Sequence, residues 1–142
     1  MFQKAQEDVV LFSPMEGVIT FDGTPVNGAK IERFLKWKDE TGETDSFTTD
    51  HAGHFFLPIK KDNITVNIMT TFVVEQKLSV TYKNQVYIIW VMGKDSKNEF
   101  GELGGEPVNF KCDLADDDRP MRLESALLLT KCTWDSIKSI KD

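Results

Sequence analysis

Between residues 17 and 57 short apolar runs are cut at close intervals by glycine, proline and Asp-x-x-Gly signals: Gly17-Val18, then Gly23-Thr24-Pro25-Val26-Asn27-Gly28-Ala29-Lys30-Ile31, then Thr49-Asp50-His51-Ala52-Gly53-His54-Phe55-Phe56-Leu57. Runs this short, with turn chemistry on both sides, read as consecutive β-strands joined by tight turns. At 142 residues the chain is one domain's worth, long enough to bury about two-thirds of its unfolded surface without staples. Hydrophobic residues at 40% and charged residues at 28% are those of an ordinary globular domain and exclude disorder, collagen and coiled coil. Ten Phe and three Trp point to an aromatic core.

Further runs extend the pattern. Residues 9–13 form an apolar run stopped by Pro14, and 17–21 a second ending at Asp22-Gly23. Ala29, Ile31, Arg33, Leu35 and Trp37 fall on one face of an alternating segment, with Lys30, Glu32, Lys36 and Lys38 on the other. Arg33 and Phe34 break the alternation; Arg33 is expected to reach solvent or to pair with a carboxylate. Residues 45–49 and 54–59 are β-prone. The clearest pair is a hairpin: residues 74–82 alternate, Lys83-Asn84-Gln85 turns the chain, and residues 86–92 follow. Tyr87, Ile88, Ile89, Trp90 and Val91 are apolar at both parities, which predicts a central strand with both faces at least partly covered. Residues 93–105 read as a long glycine-rich loop and a candidate binding loop. Residues 107–114 return to strand, 115–120 form an acidic loop, 121–129 are ambiguous between helix and strand, and 133–142 form one amphipathic turn or fray. The expected fold is all-β, a single antiparallel sandwich over residues 1–142.

The net charge of -6 argues against nucleic acid or an anionic membrane as the main partner and allows a basic one. Residues 99–118 hold Glu99, Glu102, Glu106, Asp113, Asp116, Asp117 and Asp118 against the single base Lys111, so this window carries the whole imbalance. Residues 1–12 contain Lys4, Glu7 and Asp8 and no leader-like apolar run, and no stretch is long and apolar enough to span a membrane. As written the chain reads as cytoplasmic, or as periplasmic if a leader was removed.

Candidate chemistry is sparse. Cys112 and Cys132, the only cysteines, either form a disulfide contributing about 3 kcal/mol or remain two buried thiols. They cannot close a tetrahedral zinc site by themselves. His51 and His54 beside Asp50 make a formal metal candidate that reads better as a solvated turn. Asp113 with Asp116, Asp117 and Asp118 fits no EF-hand spacing and reads as a solvated or partner-facing acidic loop. No nucleophile motif is convincing, and Lys94 reads as a surface charge. No metal, cofactor or catalytic residue is assigned.

The segment 16–58 resembles the carboxypeptidase regulatory-like, or prealbumin-like (transthyretin-like), sandwich module through Gly17, Val18, Gly23, Pro25, Val26, Gly28, Ala29, Thr49, Asp50, Gly53 and Phe55. The resemblance implies a structural scaffold and no reaction. Leu11-Phe12-Ser13-Pro14, Glu75-Gln76, Ile89-Trp90, residues 98–103, Lys111-Cys112-Asp113-Leu114 and Cys132-Thr133-Trp134 are similar to a family of small bacterial proteins of uncharacterised function. Some small acidic proteins of this kind are immunity partners of secreted antibacterial toxins. The resulting expectation is a non-enzymatic module that caps a basic toxin through Glu99, Phe100, Glu102, Glu106, Asp116, Asp117 and Asp118. The alternative is a structural or carbohydrate-binding accessory module of the cell envelope.

Overall fold

The computed structural model describes residues 4–67, 71–123 and 126–139. These form fifteen strands: β1 (Lys4–Phe12), β2 (Met15–Phe21), β3 (Thr24–Pro25), β4 (Lys30–Lys36), β5 (Glu43–Thr48), β6 (His54–Leu57), β7 (Lys60–Asn67), β8 (Val74–Tyr82), β9 (Gln85–Lys94), β10 (Gly105–Val108), β11 (Lys111–Asp113), β12 (Arg119–Arg122), β13 (Leu127–Thr130), β14 (Cys132–Thr133) and β15 (Ser136–Ser139). One layer is an antiparallel six-stranded sheet ordered β12-β13-β9-β8-β4-β5. The second layer runs β14-β11-β2-β3, with β6 also paired to β2. Its β2–β11 contact is parallel, and two ribbons, β1–β7 and β10–β15, complete the molecule. The all-β sandwich expected from the turn spacing is the observed architecture.

The core is where the inward faces of the layers meet. Ile19, Phe55, Leu57, Phe110 and Cys112 pack with Ile31, Leu35, Leu78, Val80, Trp90, Met92 and Leu128, and Val9, Leu11 and Phe12 of β1 close one side. Arg33 lies on this inward face, only 1% exposed. It follows the second of its two expected routes: Nε and Nη2 donate to the Asp45 carboxylate at 3.0 and 2.7 Å, and Nη1 donates to the Pro58 carbonyl at 2.6 Å. The guanidinium also lies about 5 Å from the ring centres of Phe12 and Phe47, so a buried charge is fully matched.

The turns near β2 follow from single residues. Asp50 accepts from the N–H of Ala52 and of His54, both at 2.9 Å, the His54 bond being the main reason its carboxyl sits below the usual range. Gly53 adopts φ +76°, and a Cβ there would lie 2.4 Å from the Ile19 carbonyl oxygen, so only glycine lets this turn close on β2. Thr49 Oγ1 donates to the Val26 carbonyl and accepts from the Ala29 N–H, tying the two turns together.

The β8–β9 hairpin forms on a two-residue Lys83-Asn84 turn with both φ positive, the twist-matched geometry for a short hairpin. Strand β9 is central, between β13 and β8, and its outer face is covered only in part: Val91 is half-buried, while Val86 is 66% and Ile88 45% exposed. A bulge opposite Leu78 and Ser79 leaves Ile89 as an extra residue and switches the parity of the strand. Odd residues face inward before it and even ones after it, so Ile89 and Trp90 are both buried.

Two segments that the sequence left open take strand form, and a third differs from expectation. Residues 60–67, unassigned in the sequence, pair with β1. The ambiguous 121–129 segment contributes to β12 and β13, with residues 124 and 125 outside the described part. The expected turn or fray after residue 133 is instead β15, paired with β10, while residues 140–142 lie outside the described part.

Candidate functional site: an aromatic and acidic end of the sandwich

The acidic window does not form one surface. Strands β2 and β11 run parallel, with Asp113 opposite Thr20, so the window enters near the start of β2 and leaves near its end. Those points are about 20 Å apart at ~3.3 Å per residue. Glu99, Phe100, Glu102 and Glu106 lie towards the first end; Asp116, Asp117 and Asp118 lie at the second.

At the first end Glu102 corrects its expected role. It is 9% exposed, and its carboxylate accepts from the Ser13 N–H at 3.0 Å, the Ser13 hydroxyl at 2.6 Å and Gln76 Nε2 at 3.0 Å. Gln76 in turn donates to the Leu11 carbonyl and accepts from Trp90 Nε1 at 2.9 Å. The Ser13 hydroxyl also accepts from the Phe100 N–H at 2.7 Å. Glu102 is therefore spent on holding the loop to the core, and Phe100, half-buried with φ +60°, is part of that anchorage. Lys94, expected at the surface, is likewise 1% exposed; its ammonium donates to the carbonyls of Val10 and Ser96. Burial pushes its pKa down, opposed by the charges of Glu102 and Asp95. The loop expected to bind a partner is thus strapped down by the sequence stretches around Ser13, Gln76 and Trp90. Glu99 and Glu106 remain exposed.

At the second end Asp113 acts as a clamp. Its carboxylate accepts from Thr20 Oγ1 at 2.8 Å and from the N–H groups of Asp22, Gly23 and Ala115, each at 2.9 Å. Burial alone raises its pKa, but these four hydrogen bonds outweigh it and hold the group at about 2. The exposed Asp116–Asp118 loop that follows is tied to the opposite sheet by Lys131, whose ammonium donates to the Asp116 carbonyl at 2.7 Å and pairs with Asp118 at 3.2 Å. Lys131 N–H donates to the Ile89 carbonyl, which places Lys131 itself beside β9.

The same end carries aromatic residues that sequence reasoning left out. Phe21 packs against Tyr82 and Tyr87 with ring centres 6.4 and 6.2 Å apart. Together with Asp22, Thr24, Lys83 and Gln85 they line a cleft of about 570 Å³. Phe21 remains 40% exposed. Their nearest sequence signal was position: each lies within three residues of a turn, Asp22-Gly23 or Lys83-Asn84, and the two turns meet here.

The cysteines are bridged. Cys112 and Cys132 are directly opposed on β11 and β14 and form a disulfide, resolving the open choice between bridge and thiols. The histidines do not converge with a third ligand: His54 Nε2 lies 3.7 Å from Glu16 Oε2, while Asp50 is committed to backbone N–H groups. Among the described residues no group of three or more His, Cys, Asp or Glu is placed to hold a metal ion, and no helix is long and apolar enough to cross a membrane.

What emerges is a β-sandwich with one rigid end that is both aromatic and acidic. The chain belongs to the family described as Domain of unknown function (DUF6795), whose model matches residues 15–117. That span includes β2, the hairpin and the Asp113 clamp, and stops within the acidic loop. No curated protein and no solved structure matches.

Proposed function

We propose that this chain is a non-enzymatic protein-binding module, most concretely an immunity protein that neutralises a secreted basic toxin, built on a scaffold of the regulatory-like, prealbumin-like kind. The observation that carries the reading is the Asp116–Asp118 loop, exposed yet anchored to both sheets through Asp113 and Lys131. A fixed cluster of like charge attracts an oppositely charged surface and speeds encounter without the entropic cost of ordering a mobile loop. The contact assigned from sequence is thereby narrowed: Glu102 leaves it, and Asp116, Asp117 and Asp118 stay. The buried disulfide supports the periplasmic alternative over the cytoplasmic one.

The test is affinity capture from the source organism with salt elution, combined with co-expression beside the neighbouring gene. Recovery of a basic secreted protein whose toxicity the chain suppresses supports the reading; no captured protein and no protection removes it. The carbohydrate-binding alternative is favoured by the Phe21, Tyr82 and Tyr87 cleft, since aromatic faces stack on sugar rings. It requires saccharide binding at that cleft in the absence of a protein partner.

A further inference from the structure

We propose that the cleft between the Asp22-Gly23 and Lys83-Asn84 turns is a cation-accepting pocket that takes an arginine side chain from a basic partner. The inference rests on the protein-binding reading above and adds the chemistry of the contact. Phe21, Tyr82 and Tyr87 supply three aromatic walls, and a ring face carries the negative part of the aromatic quadrupole, which attracts a cation within about 6 Å. The protein already uses one of these faces in that way: the Lys83 ammonium sits 5.2 Å from the centre of the Tyr82 ring. Lys83 is exposed at the tip of the turn, so a cation from outside can displace it at small cost.

Charge and rigidity point the same way. Asp22 lines the cleft, so an incoming guanidinium meets a carboxylate as well as rings, and the acidic Asp116–Asp118 loop follows the Asp113 that holds the Asp22-Gly23 turn. The walls are fixed before binding: Asp113 holds the Asp22-Gly23 turn, and the Tyr87 hydroxyl donates to Gln85 Oε1 at 2.7 Å. Rigid aromatic anchors lose little freedom on association and dominate many protein contacts. A volume of about 570 Å³ accommodates an arginine side chain with its flanking backbone.

The probe is a blocked Gly-Arg-Gly-Arg-Gly peptide titrated at low salt into isotope-labelled full-length protein, followed by NMR. Ring protons of Phe21, Tyr82 and Tyr87 should move, with the arginine methylene protons shifted upfield by ring currents. Lys83→Gln removes the resident cation and should tighten binding about two- to fivefold. The pair Tyr82→Leu and Tyr87→Leu, which keeps apolar bulk and loses the rings, should weaken it by at least as much. If that pair fails to fold, Lys83→Gln at the exposed turn carries the test.

Absence of binding, shifts confined to residues 116–118, or no tightening with Lys83→Gln would overturn the proposal. So would movement of the rings by chitotetraose but not by the peptide. The two readings fail separately. A protein captured equally by wild type and by Tyr87→Leu sinks the cleft and leaves protein binding intact, whereas peptide binding at the rings with no captured partner does the reverse.

Discussion

At Asp113 a carboxylate that the sequence placed in a solvated acidic run accepts hydrogen bonds from Thr20, Asp22, Gly23 and Ala115. Its folded-state pKa of about 2 lies below the unfolded value near 3.8. The stability it contributes is therefore fully present above about pH 4 and is lost as pH falls towards 2. Asp113→Ala is expected to cost about 2–3 kcal/mol near neutral pH, the range for several hydrogen bonds to a charged acceptor. Denaturant melts of wild type and variant should converge as pH falls to 2, and parallel pH profiles would contradict this role. Glu102→Ala removes the acceptor for Ser13 and Gln76 and should cost about 3 kcal/mol, with faster amide exchange over residues 95–104. Neither role was legible in the residues themselves. An acid in a glycine-rich stretch defaults to solvent, and only the tertiary placement of Ser13, Gln76 and Thr20 overrides that default.

Among the elements, the hairpin and the turn-flanked strands were legible because local chemistry specifies them: period-two alternation in β8, positive-φ turns, and Asp50 closing on the Gly53 turn. The bulge in β9 was present as a symptom, apolar residues at both parities, but the same pattern describes a strand covered on both faces, and the exposure of Val86 and Ile88 decides between them. Strand β15 was missed because it is short and fixed by a distant partner, β10, whereas β7 was overlooked although Asn63 to Asn67 alternate, its charged start masking a pattern that pairing with β1 completes. The C-terminal extension is nevertheless structural. Trp134 stacks on Phe110 with ring centres 5.9 Å apart, and the disulfide joins the adjacent β14 to β11. Reduction of the bridge, whose sequence separation is 20 residues, should lower the unfolding free energy by about 3 kcal/mol without abolishing the fold. A reduced chain with an unchanged denaturation midpoint would show that the sheet pairing alone suffices.

For the molecule as a whole, the sequence located the negative charge but not its division between two ends, which depends on the parallel β2–β11 register. Partner binding should follow that division. Neutralising Asp116, Asp117 and Asp118 together to Asn is expected to slow association about tenfold or more at low salt and to flatten its ionic-strength dependence. Glu99→Gln with Glu106→Gln should leave both close to wild type. Stopped-flow or surface-based association rates over a salt series check this, and equal effects from the two sets would place the contact elsewhere. The parallel β2–β11 pairing also bears on biosynthesis. One side of β2 waits for its neighbour until Asp113 has left the ribosome, so during vectorial synthesis the nascent chain presents an open strand border next to Ile19 and Phe21. A chaperone that shields such borders co-translationally would improve the yield of this protein more than one acting after release.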